Sequence, residues 1–127
     1  TANELGELTG IPPLEEIMRK QLAENGIPAR SQYRVLDKKK NTCRYRLDFA
    51  VFCRDGKIAL ECDHSRWHRR PAQRERDRRR DRWLKRNGWN VIHLSEKEIQ
   101  GEIANEIIRL KRLIKRMGGA LSGQNQL

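Results

Sequence analysis

Apolar positions follow two rhythms along this chain. In "PPLEEIMRKQLAENGIP", Leu14, Ile17, Met18 and Leu22 recur at helical spacing behind an entry proline, acids fill the first turn, and Asn25-Gly26 with Pro28 closes the run. This pattern predicts a first helix over residues 13–24. The rhythm then changes to that of strands. "SQYRVL" (31–36) alternates, "KKKN" (38–41) has turn composition, and "CRYRLDFAVFC" (43–53) alternates before becoming continuously apolar. Arg54-Asp55-Gly56 reads as a tight turn into a third strand, "KIALEC" (57–62), so the three runs predict a meander.

A second helix is predicted from Pro71. Its first three turns contain only Ala72 as an apolar residue, Trp83 and Leu84 supply an anchor, and Asn87-Gly88 ends it. A helix so polar projects into solvent or faces a partner along much of its length. "WNVIHL" (89–94) reads as a fourth strand. Ser95, with Glu98 three residues on, forms a capping box for a final helix whose packing stripe is Ile99, Ile103, Ile107, Leu110, Leu113 and Ile114. The expected order is helix, three strands, helix, strand, helix: an α/β chain with one domain at 13–117, a flexible lead-in at 1–12 and a flexible tail at 118–127.

Composition sharpens this picture. Of 127 residues, 36% are hydrophobic and 35% charged, and the apolar ones are clustered, which fits a small core under a large charged surface better than disorder. The net charge of +11 is concentrated in "RWHRRPAQRERDRRRDR" (66–82), where nine arginines face three acids. Guanidinium forks match phosphate oxygens, and no apolar face accompanies the run, so nucleic acid is the expected partner rather than a membrane. The plainer alternative is a solvated basic helix. No 18-residue apolar segment or signal-like start is present, and Cys43, Cys53 and Cys62 lack a Cys-x-x-Cys pair. The expectation is a soluble, cytoplasmic protein with buried, reduced thiols. The first residue is Thr1 rather than Met, which is compatible with a domain excised from a larger protein and equally with a removed tag.

Chemistry enters with Asp48, a carboxylate inside an otherwise apolar strand, and Glu61 near the end of the strand that follows the Arg54–Gly56 turn. Hairpin pairing brings both toward one end of the sheet. A buried carboxylate needs compensation. A divalent cation such as Mg²⁺ or Mn²⁺ provides it, and so does an arginine partner. Two carboxylates beside an arginine-rich helix suit metal-assisted phosphodiester hydrolysis. His64 and His68 are four residues apart, but the loop-like context ending in Pro71 argues against a helical zinc site.

The ordered set "YRLDFAVF", "KIALECDHSRWH" and "DRRRDRWLKRNGWNVIHL" resembles the very-short-patch-repair-like branch of the PD-(D/E)XK nuclease superfamily over about residues 13–100. The resemblance implies a restriction-endonuclease-like fold around a mixed central sheet and metal-dependent cleavage of nucleic acid. Asp48, Glu61 and the carbonyl of Cys62 are the implied ligands. Asp63 stands where the superfamily usually has lysine, suited to binding metal or holding a histidine. His68 matches the histidine after the strand and is the candidate proton handler, while His64, a candidate nucleic-acid contact, sits where family members often carry glycine. "PLEE" fits an early helix motif with Glu15 as an outer carboxylate, and its plain alternative is a first-turn helix acid. Gln32 is a candidate for touching substrate or metal-bound water. Arg80 and Asp81 match the helix signature, with Arg80 facing the scissile phosphate and Asp81 orienting it. Arg66, Arg69, Arg70 and Arg74 are expected mostly on flanking phosphates, with some arginines of the run paired to Glu75 and Asp77 instead, Trp67 as the exposed stacking residue and Trp83 and Trp89 in the core.

The expected function is that of a metal-dependent endonuclease acting on DNA, with RNA left open, either alone or as part of a larger helicase-like or repair protein. The competing readings are a non-cleaving nucleic-acid-binding module on the same fold and a protein-interaction domain with an acidic partner.

Overall fold

The computed structural model describes residues 13–64 and 69–122. It contains α1 (Leu14–Glu24), β1 (Arg30–Asp37), β2 (Thr42–Cys53), β3 (Gly56–Asp63), α2 (Pro71–Arg86), β4 (Trp89–Ser95), α3 (Glu96–Gly101) and α4 (Ile103–Arg116). The strands form one mixed sheet in the order β1-β2-β3-β4. The first three make antiparallel pairs, and β4 returns parallel to β3 after the α2 crossover.

Each face of the sheet covers its own core. On one face Leu14, Met18 and Leu22 of α1, Ile99 of α3, and Ile107, Leu110 and Ile114 of α4 pack with Phe49, Val51, Ile58 and Leu60. On the other face α2 contributes Leu84 to a cluster with Val35, Leu47, Ala50, Ala59 and Trp89. Side chains one residue apart in a strand serve opposite faces. Continuous apolar runs such as "FAV" and "IAL" are what a sheet covered on both sides requires.

The α/β class and the element order are those expected, with one break. Instead of a single last helix, the chain closes α3 at Gly101, bends through Glu102 (φ −129°, ψ 25°) and restarts α4 at Ile103. Gly101 lies at the junction, where its low helix propensity favours an interruption. The capping box is present: the Glu98 amide donates to Ser95 Oγ at 3.2 Å, and the Ser95 amide donates to Glu98 Oε1 at 3.0 Å.

Two further expectations need correction. Cys43 is exposed, because it lies near the open start of β2, whereas Cys53 and Cys62 are buried thiols. The tail expected at 118–127 begins docked. The Arg54 amide donates to the Gly119 carbonyl at 3.0 Å, and the Leu121 amide donates to the Phe52 carbonyl at 2.8 Å, so the chain after α4 ties down the β2–β3 turn. Residues 1–12 and 123–127 lie outside the described residues.

Candidate active site

The regular pairing of β2 with β3 runs from Cys53↔Gly56 to Phe49↔Leu60. One step further on, side chains replace the ladder. The Asp48 amide donates to Glu61 Oε2 at 3.2 Å, and the Cys62 amide donates to Asp48 Oδ2 at 2.8 Å. The alternation of β2 slips at the same place, since Leu47 and Phe49 lie in opposite cores although they are two residues apart. Gln32, opposite Asp48 in the β1–β2 register, takes a left-handed backbone (φ 50°) and donates from Nε2 to Glu15 Oε2 at 2.8 Å. For a non-glycine residue this is a strained conformation, of the kind that collects at functional sites. The irregularity is therefore centred on Asp48, and it gathers the carboxylates of three elements.

The electrostatics match a crowded acidic site. Burial raises Glu15 above the ordinary carboxylate range, and the nearby Asp48 charge adds to the shift. Burial pushes Glu61 up to about 7, with Asp48 adding to it and Arg80 opposing it. The Cys62 thiol is raised first by burial and then by the charges of Asp48, Glu15, Glu61 and Asp63. Four carboxylates gather around one strand end, an arrangement whose negative charge a cation could relieve.

Beside this cluster lies a second arrangement. Arg80 of α2 reaches under the sheet, pairs with Glu61, and donates to the Arg46 carbonyl at 3.1 Å. Its guanidinium also lies over the Tyr45 ring, 5.5 Å from the centroid. The arginine partner weighed against a cation is thus present, and it sits on Glu61. Arg80, expected to face the scissile phosphate, thus lies beside Glu61 with its side chain 20% exposed. Asp81 does approach Arg80, at 3.6 Å, but its closer partner is His93, whose Nε2 lies 2.7 Å from Asp81 Oδ2.

The other ring nitrogen of His93 lies 3.0 Å from Asp63 Oδ2, an ion-pair distance without hydrogen-bond alignment. The imidazole is held between two carboxylates, and the closeness of Asp63 and then Asp81 raises it to about 9 against the opposing effect of burial. Asp63 is pushed upward by burial, but His93 and Arg69 outweigh that and hold it below the usual carboxylate range. Asp63 thus stands against a histidine, one of the two roles expected of it. That histidine, His93, was missed from sequence. Its signal was a titratable residue inside the strand "WNVIHL"; the parallel register that sets it beside Glu61 was not legible there.

Of the residues expected at the site, Glu15, Gln32, Asp48, Glu61, Cys62 and Asp63 come together at this end of the sheet. Exposed His64 shares a cleft of about 260 Å³ with Glu15 and Gln32. Arg70 and Arg74 are exposed on or beside the first turn of α2, as a phosphate-binding role needs. Arg69 is not free for one: it pairs with Asp77 at 2.7 Å and with Asp63 at 3.3 Å, so it braces the site from within. Trp89 is buried and Trp83 is partly buried against Tyr45. Arg66, Trp67 and His68 lie outside the described residues.

Comparison with known proteins adds one result. No curated protein and no solved structure matches the chain. The model of the restriction-endonuclease-like family REase_MTES_1575 matches residues 15–114, a span that takes in the carboxylates of α1, β2 and β3 as well as Arg80, Asp81 and His93. With the mixed sheet flanked by helices and the acidic strand ends at its centre, the chain belongs to the REase_MTES_1575 family.

Proposed function

We propose that this protein is a metal-dependent endonuclease that hydrolyses DNA phosphodiester bonds, with Asp48 and Glu61 as carboxylate ligands and the Cys62 carbonyl as a third oxygen. The observation that carries this reading is the parting of β2 from β3, where Asp48 and Glu61 replace the ladder and Glu15 stands close by. The donor set is all oxygen and acidic, which suits Mg²⁺ or Mn²⁺. Among the described residues no three His, Cys, Asp or Glu side chains form a ready-made cage, so water and phosphate oxygens would complete the coordination. When bound, such a cation supplies Lewis acidity and lowers the pKa of water.

The chain's own residues divide the remaining work. Glu15, raised by burial and by Asp48, is a candidate to accept a proton. Asp63, locked between His93 and Arg69, positions the end of β3 and does not exchange protons. His68 remains the candidate for protonating the leaving oxygen. Exposed Arg70 and Arg74 hold flanking phosphates. The pattern Glu61-x-Asp63 followed by His68 keeps the very-short-patch-repair-like branch, and a role in DNA repair or beside a helicase-like partner, within this proposal.

One observation favours the runner-up, a non-cleaving nucleic-acid-binding module: Arg80 already neutralises Glu61. Cleavage of labelled single-stranded, duplex and forked DNA in Mg²⁺, Mn²⁺ or EDTA separates the two readings. The nuclease reading predicts metal-dependent products, lost at least about 10³-fold in Asp48→Ala while DNA still binds. Binding without cleavage by the wild type in every metal would favour the module, and full cleavage by Asp48→Ala would remove that residue from the site.

A further inference from the structure

β3 carries opposite chemistry at its two ends. Lys57 and Glu61 are four residues apart, about 13 Å along the strand, and both face the α2 side of the sheet with Ala59 between them. Around Lys57 lies a cleft of about 640 Å³ between the end of the β1–β2 hairpin and the C-terminal end of α2. Leu36, Lys38, Lys39, Lys57, Trp83 and Arg86 contribute to its wall.

The cleft is built rather than incidental. Lys57 is partly buried, with its ammonium 4.7 Å from the centroid of the Trp89 ring. Gly88 holds a left-handed turn (φ 89°) beside it, and a Cβ there would stand 3.5 Å from Lys57 Cε. Burial first, and then the neighbouring Lys38 charge, lower the Lys57 amine below the ordinary lysine range. Like charges are thus held together with no carboxylate to relieve them. The cleft's one acid, Asp37, pairs with Arg44 at 3.5 Å and accepts from the Lys39 amide at 3.0 Å. Among the described residues no acid pairs with Lys38, Lys39, Lys57 or Arg86. Leu36, 57% exposed, adds an apolar edge.

We propose that this cleft is a second binding site, separate from the carboxylate cluster, that takes the phosphodiester backbone of a nucleic-acid strand with Leu36 and the edge of Trp83 against its bases. Four cations without an acid partner among the described residues, around a groove open to solvent, are the electrostatic footprint of a polyanion. The apolar edge beside them suits an unpaired strand, whose bases are exposed, better than a closed duplex. This site does not depend on cleavage: it binds without divalent metal.

The test uses the full chain in EDTA and follows fluorescence polarisation of a labelled single-stranded oligonucleotide across a salt series. Lys38 and Lys39 are exposed turn residues, so Lys38→Glu/Lys39→Glu should fold normally, with circular dichroism as the check. Exposed Lys111 and Lys115 of α4, the helix on the other face of the sheet, give a control of equal charge change, Lys111→Glu/Lys115→Glu. The expected result is about tenfold or greater loss of affinity at 0.1 M salt in the hairpin variant, with the slope of log K against log salt falling by about 1.4. The control should change little. Arg86→Gln should move the same way by a smaller step. Equal losses in the hairpin variant and the control would overturn the proposal, since net charge alone would account for the binding. Competition by polyglutamate as effective as by unlabelled oligonucleotide would also overturn it, in favour of an acidic protein partner. Inorganic phosphate that displaces the oligonucleotide at low millimolar concentration would reduce the site to one for free phosphate and overturn the strand reading.

Discussion

α2 and α4 flank opposite faces of the same sheet and differ in what holds them there. α4 buries Ile107, Leu110 and Ile114 along one stripe, together with Glu106. α2, with sixteen residues, buries only Leu84. Beyond Trp83, partly buried against Tyr45, its inward contacts are ionic: Asp77 to Arg69, Arg80 to Glu61, and Asp81 to His93. Burial of apolar area is indifferent to a small slide of one element past another, whereas a bridge of charged groups fixes position to within hydrogen-bond reach. Buried ion pairs are a poor source of stability and a better one of alignment. α4 therefore secures the fold, while α2 aligns the polar groups around Glu61 and Asp63.

The largest expected effect separates the two helices directly. Leu84→Ala and Leu110→Ala should each cost about 2–5 kcal/mol, read as chemical denaturation midpoints. Only Leu84→Ala should also abolish the proposed cleavage well below its melting temperature, because Arg80 and Asp81 are then free to leave the site. Equal residual activities in the two variants would mean that α2 does not align the site. A smaller effect concerns His93. Its folded-state pKa is about 9 and the ordinary value is 6.5, so the folded state holds the extra proton between these values. That contribution is fully present below pH 6.5 and is lost as pH rises through about 9, worth at most about 3 kcal/mol. Wild type should therefore lose stability from pH 6.5 to 9, and His93→Gln should show a much flatter profile over the same range. The smallest effect is on the outer side of α2. Arg78 pairs with Glu75 at 2.9 Å in full solvent, and Arg78→Ala should leave the melting temperature unchanged to within about 2 °C. A larger fall would mean that the outer arginines hold α2 as firmly as the inner ones.

Periodicity was enough to place every strand and both long helices, because a sheet buried on two faces and a helix with one apolar stripe leave different spacings in the chain. Asp48 and Glu61 were legible for a related reason: each interrupts an apolar run, and a short turn between their strands brings them together. The partners of those carboxylates were not. Arg80 is one of nine arginines in a stretch where spacing does not single out the inward one, and its side chain direction depends on how α2 crosses the sheet. His93 became a neighbour of Glu61 through the parallel β3–β4 register, which is set by a crossover and not by local sequence. Sequence marks Gln32 as a candidate contact to substrate or metal-bound water, but its left-handed backbone opposite Asp48 is a tertiary outcome with no signature in "SQYRVL".

The site's two descriptions, as a proposed carboxylate site for a cation and as an alignment of charges organised by α2, meet at Glu61. Titration of the full chain with Mn²⁺ by calorimetry, wild type beside Glu61→Gln, tests that meeting point most directly. The account predicts one saturable site in the wild type that is lost or weakened at least about tenfold in Glu61→Gln, since one of two carboxylate ligands is gone. Identical titrations of the two proteins would contradict it and place any metal chemistry away from the end of β3.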